Sequence, residues 1–173
     1  DSKNPNWSNY KSTGTYVNSI VALQDAVAKG ADEALILDND GYISEGSGEN
    51  IFFLKDGLIM TPTTKNCLNG ITRQSVIEIA KGLGHKVEDG DWSYEHIIKC
   101  DEAFFTGTAV EVTPITKIDG KIISNGTVGS ITKEIQTNYE NAVLGTDDNS
   151  RNWLTYICLL YTSDAADEPE RGG

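Results

Sequence analysis

The sequence predicts an α+β domain, two small sheets with helices packed around them. Two observations carry this: strand-like runs joined by Asp-Gly and Asn-Asp-Gly turns, and segments whose apolar residues recur at helical spacing. Tyr16, Ile20, Leu23 and Val27 keep that spacing and Gly30 stops them, so residues 16–29 read as an amphipathic helix with Lys11 just ahead of it. Strand-like runs follow at 33–38, 42–44, 50–55 and 58–61, which predicts a sheet built from hairpins. Val76, Ile79, Ala80 and Leu83 mark a second helix ended by Gly84, and Ser93 caps a short third one running to about residue 99. Residues 102–106 return to strand. Runs 112–118 and 121–123 flank the Asp119-Gly120 turn as a further hairpin, and Ile131, Ile135 and Tyr139 mark a last helix before Gly145.

A length of 173 residues suits one domain with a real core. The net charge of −12, with only 14 Lys and Arg along the chain, argues against nucleic acid and anionic membrane, both of which reward a clustered basic surface. No apolar run approaches the roughly 20 residues of a membrane span. Cys67, Cys100 and Cys158 are odd in number and form no Cys-x-x-Cys pair, so neither a disulfide framework nor a zinc site is indicated, and a reducing cytoplasm fits best. His85 and His96 lie far apart with no acid spacing typical of metal sites, so no metal is expected. Gly-x-Ser-x-Gly and the phosphate-loop pattern are both missing. The chain opens Asp-Ser-Lys-Asn-Pro with no initiator Met and no signal-peptide core, and the expectation is that the true N-terminus is absent.

The most informative stretch is Gly41-Tyr-Ile-Ser-Glu45-Gly-Ser-Gly-Glu-Asn50. Strand-like runs flank it, and Gly46, Ser47 and Gly48 leave little bulk beside the Glu45 carboxylate, so something flat could lie against the bend. Taken alone, Glu45 reads as a bend-capping acid. Gly70-Ile71-Thr72-Arg73 sits where the second helix begins, and unpaired amides with the positive end of the dipole favour an anion there. Thr106-Gly107-Thr108-Ala109 ends a strand in a small-residue turn whose successive amides can form an anion-binding concavity.

In order and spacing, these segments together with Lys11-x-x-Gly14-x-Tyr16, placed 34 residues ahead of Glu45, resemble the class IV pyridoxal-phosphate aminotransferases. Gly-Ser-Gly-Glu-Asn and Gly-Thr-Ala-Val-Glu are most similar to the branched-chain amino acid branch of that family. The resemblance implies pyridoxal 5'-phosphate as cofactor, with Lys11 as catalytic and Schiff-base lysine and Glu45 at the pyridine nitrogen. It further implies Tyr16 on the ring's phenolic oxygen, Leu68 against the ring, and Gly70, Ile71, Thr72 and Thr108 around the phosphate. The Thr108 and Ala109 amides would hold the substrate carboxylate. Glu49 is implied as a structural acid, outside catalysis, and Arg73 is not implied as a phosphate ligand.

The fold so implied is the large domain of the fold type IV enzymes over residues 1–157, with a smaller N-terminal domain missing. Residues 158–173 look like a non-native tail. The implied reaction moves the amino group of L-leucine, L-isoleucine or L-valine to 2-oxoglutarate by a ping-pong route, in a homodimer when full length. D-amino acid aminotransferases, aminodeoxychorismate lyases and an inactive cofactor-binding fragment are the alternatives that the same residues leave open.

Overall fold

The computed structural model describes residues 11–146 and 153–155. The expected tail at 158–173 lies outside these residues. Two units are distinguished, Asp1–Glu140 and Asn141–Gly173. The second holds the end of the last helix, where Thr146 N–H donates to the Asn141 carbonyl at 3.0 Å. The first holds everything that bears on the site.

A 3-10 turn, Thr13–Thr15, leads into α1, Tyr16–Ala28. A hairpin of β1, Leu35–Leu37, and β2, Ile43–Gly46, follows as a two-stranded sheet. Then come β3, Asn50–Lys55; β4, Leu58–Pro62; α2, Ile71–Gly82; and β5, Lys86–Gly90. Next are α3, Tyr94–Ile97; β6, Glu102–Gly107; β7, Glu111–Ile115; β8, Lys117–Ile118; β9, Lys121–Ile122; and α4, Ser130–Leu144. The order in the five-stranded sheet is β5-β4-β3-β6-β7, and β8 and β9 pair by themselves.

The expected elements are present, but they form three sheets rather than two, one of them five-stranded, and two further differences stand out. The sheet is not built from hairpins alone, because a further strand, β5, pairs with β4 in parallel and α2 is the crossover between them. The run expected as one strand at 112–118 divides: β7 joins the five-stranded sheet and β8 leaves it to pair with β9. The tight turns follow their chemistry, with positive φ at Asp56 and Gly57 (50° and 78°) and at Asp119 and Gly120 (45° and 82°).

β3 is buried on both faces from Asn50 to Leu54, so the sheet is covered twice. Phe52, Leu54, Phe104 and Val112 face α2 and α4 through Val76, Ala80 and Ile135. Phe52 and Phe104 are directly opposed in register, and their rings stack at 5.1 Å. Ile51, Phe53, Met60 and Ala103 face the other way, onto Ile43 of β2, Ile97 of α3, and Ile118 and Ile123. No helix among the described residues is long and apolar enough to cross a membrane. Helix α1 buries none of its described residues, and Val17, Ile20, Val21 and Val27 stand exposed along it.

Candidate functional site

Glu45 lies on β2, paired with Ile36 of β1 and half buried. Its Oε2 accepts the Leu68 N–H at 3.0 Å. Leu68 belongs to the loop at 63–70, and its carbonyl accepts from Asn50 Nδ2 at 2.7 Å. Asn50 opens β3, which leaves a short turn between it and Glu45. A Cβ on Gly70 would collide with Asn50 Oδ1, so only glycine lets the start of α2 settle onto that amide. Glu45, Leu68, Asn50 and Gly70 are therefore locked to one another.

The loop is fastened from beneath as well. Arg73 is 4 % exposed, and its Nη2 donates to the Pro62 carbonyl at 3.0 Å while Nη1 reaches Asn69 Oδ1 at 3.4 Å. Ser44 Oγ donates to the Asn66 carbonyl, and Cys67 Sγ lies 3.4 Å from the Thr63 carbonyl. Burial pushes the Cys67 thiol up to about 12, so it packs here as a neutral group. One arginine thus ties the two ends of the loop together, and the Leu68 amide is held where it meets Glu45.

Gly70 is the N-cap of α2 and supplies no side-chain cap. No acceptor among the described residues takes the amides of Ile71, Thr72 or Arg73. Thr72 is buried and Ile71 is 81 % exposed. The amides of the first turn and the helix dipole are left for an anion.

On the acidic side, the Gly46 N–H donates to the Glu49 carbonyl at 2.7 Å and the Gly48 N–H to Glu49 Oε2 at 3.0 Å. Burial, and then the neighbouring Glu33 and Glu45 carboxylates, raise the Glu49 carboxyl above its ordinary range. Glu49 thus braces the turn beside Glu45, as expected of a structural acid.

The structure brings Glu45, Leu68, Gly70 and the start of α2 together. Thr108 and Ala109, in the turn between β6 and β7, are exposed, and no acceptor among the described residues takes either N–H. That turn closes on Glu111 at φ 52°, a left-handed backbone held by the flanking ladder. Lys11 is exposed ahead of the 3-10 turn and Tyr16 is half buried after it. The association of these two with Glu45 rests on sequence order. A recess of about 560 Å³, lined by Lys55, Met60, His96 and Lys99 among others, contains none of these residues. Its lysines are taken by Asp101 at 2.8 Å and Glu95 at 3.1 Å.

Asn50, Arg73 and Thr106 were not singled out as site residues by their types, although Asn50 and Thr106 are polar side chains at the ends of apolar runs. Such a residue must find a partner or serve a ligand, and that signal was available in the sequence.

A carboxylate anchored on the loop that leads into an uncapped helix N-terminus suits a cofactor with one basic and one anionic end. The chain belongs to the class IV amino-transferase family, whose model matches residues 1–118. It is 47 % identical to the branched-chain-amino-acid aminotransferase of Pseudomonas aeruginosa over 147 residues, covering 85 % of this chain and 48 % of that protein. It is also similar to a crystal structure of the T.th. branched-chain amino acid aminotransferase complexed with N-(5'-phosphopyridoxyl)-L-glutamate. That match has a TM-score of 0.85 and 46 % identity and covers 87 % of this chain and 51 % of that one. The holo-form enzyme of Thermobaculum terrenum, in its PLP form, matches with a TM-score of 0.83 at 38 % identity over 86 % of this chain and 49 % of that one. The chain thus spans about half the length of the relatives it matches. The expected fold is the observed one, a mixed α+β fold of type IV.

Proposed function

We propose that the chain is the larger, cofactor-binding domain of a branched-chain-amino-acid aminotransferase, with residues 1–157 as that domain. The protein would transfer the amino group of L-leucine, L-isoleucine or L-valine to 2-oxoglutarate with pyridoxal 5'-phosphate. The observation that carries this reading is the Leu68 N–H held on Glu45 at 3.0 Å beside the uncapped start of α2. A backbone N–H donated to a carboxylate favours its charged form, and that form pairs with a protonated ring nitrogen. The residues present fit the cofactor: a fixed acid with small residues beside it at one end, and the untaken amides at the start of α2 at the other.

When bound, the cofactor supplies an electron sink for the charge left as the substrate's α-proton departs. Lys11 Nζ takes that proton and returns it. Glu45 would hold the ring nitrogen, the Leu68 side chain would lie against the ring, and the Tyr16 hydroxyl would bond the phenolic oxygen. Gly70 seats the start of α2 on Asn50, and there the Gly70 and Ile71 backbone, the Thr72 amide and the Thr72 and Thr108 hydroxyls would bind the phosphate. The Thr108 and Ala109 amides orient the substrate carboxylate. A homodimer belongs to the same proposal, supported by the exposed apolar residues of α1. A reducing cytoplasm is supported by Cys67 and Cys100, both buried and unbridged.

The test is glutamate formation from 2-oxoglutarate by the whole enzyme of which this chain is proposed to be the larger domain, purified with cofactor. Formation that depends on L-leucine, L-isoleucine or L-valine is expected. Formation from D-alanine and not from L-leucine would overturn the substrate, and bound cofactor with no turnover on any donor would overturn the activity.

A further inference from the structure

Thr106 is 1 % exposed on β6, and its hydroxyl has no hydrogen-bond partner among the described residues. A buried hydroxyl without a partner is costly, and a valine of the same shape would fill the place without that cost. Packing alone therefore gives no reason for an oxygen at this position.

Its surroundings do. Thr106 is opposite Asn50 on one side and Val112 on the other. It follows Phe104 by two residues, so its side chain projects from the face of the sheet that α2 and α4 cover. Asn50 Oδ1 fills the space that a Cβ on Gly70 would need, and Gly70 is the N-cap of α2. Thr106, Asn50 and Gly70 thus form a continuous row ending at the helix start, where the amides of Ile71, Thr72 and Arg73 have no acceptor among the described residues. Two residues further on lies Thr108, whose amide is also untaken. Free amides at a helix start and a buried, unused hydroxyl that can donate are a donor set for an anion.

We infer that Thr106 belongs to the phosphate end of the cofactor site, donating its hydroxyl to a phosphate oxygen directly or through one ordered water. This rests on the reading that the chain binds pyridoxal phosphate, and it adds a residue that the sequence motifs do not assign. The hydroxyl then has a partner only when the cofactor is bound, and the fold holds that donor ready in advance.

Thr106→Val and Thr106→Ser test it, with binding of pyridoxal phosphate and of pyridoxal, which lacks the phosphate, measured by equilibrium dialysis. Thr106→Val removes only the hydroxyl, so without cofactor its thermal midpoint should be no lower than that of the unchanged chain. Its affinity for pyridoxal phosphate should fall about tenfold, the loss of one hydrogen bond to a charged group, while its affinity for pyridoxal stays the same. Thr106→Ser should bind pyridoxal phosphate as the unchanged chain does. No loss with pyridoxal phosphate, an equal loss with both compounds, or a lowered midpoint without cofactor would each overturn the inference. An unchanged chain that binds neither compound fails before any substitution, and overturns the cofactor reading and this inference with it.

Discussion

At the residue scale, Glu49 shows how the acid beside the site is kept from competing with it. Its carboxyl is half buried and accepts the Gly48 N–H at 3.0 Å. Burial, the largest cause, and the Glu33 and Glu45 charges raise it above the ordinary value of 4.5. The folded chain therefore binds more protons here than the unfolded chain does. This contribution to stability is complete below the ordinary carboxylate value and is lost as pH rises through the raised one. Glu49→Gln keeps an acceptor for the Gly48 N–H and removes the titration. Between about pH 5 and about pH 8 the wild-type urea midpoint should fall more than that of the variant. The difference should stay under about 1 kcal/mol, because roughly half of the group meets water and is screened. Parallel pH profiles for the two proteins would show that Glu49 does not titrate as the geometry requires.

At the element scale, α4 is started by a side chain from a strand. Glu102 of β6 accepts the Ile131 N–H at 3.2 Å, and the Thr132 N–H and hydroxyl at 2.7 Å each. A carboxylate there satisfies free amides and meets the positive end of the helix. Glu102→Ala should lower stability by about 1–2 kcal/mol in urea unfolding. Gly129→Ala should act in the same direction, because its Cβ would overlap the Glu102 carboxyl. An Ala at 102 with an unchanged midpoint would remove the capping role. The helix itself was legible from Ile131, Ile135 and Tyr139, but its cap was not, since donor and acceptor stand 29 and 30 residues apart. β5 was missed for a different reason. It is an edge strand reading Lys-Val-Glu-Asp-Gly, with only Val87 and Gly90 even half buried, so it carries no apolar alternation. The Asp-Gly hairpins were legible because their turn residues require positive φ. At the site, Glu45 and the Gly-Ile-Thr start of α2 were legible as motifs. The clamp joining them was not, because Arg73, Asn50 and the Leu68 amide act through contacts that no local pattern records.

At the scale of the whole molecule, the chain divides the work of its site between two kinds of residue. Those around Glu45, Asn50, Gly70 and Arg73 are fixed by hydrogen bonds within the fold, before any ligand binds. Lys11, Thr108 and Ala109 are exposed. In the proposed function the rigid group takes the cofactor's two ends, and the exposed group supplies the reacting amine and holds the substrate carboxylate. The central claim is that these two sets form one site, and it stands or falls on where the cofactor's aldehyde carbon is taken up. Incubating the chain with pyridoxal 5'-phosphate, reducing with borohydride and mapping the peptides measures that directly. A pyridoxyl group on Lys11, lost in Lys11→Ala and weakened in Glu45→Gln, is the predicted result. A label on any other lysine, with Lys11 unmodified, would contradict the account.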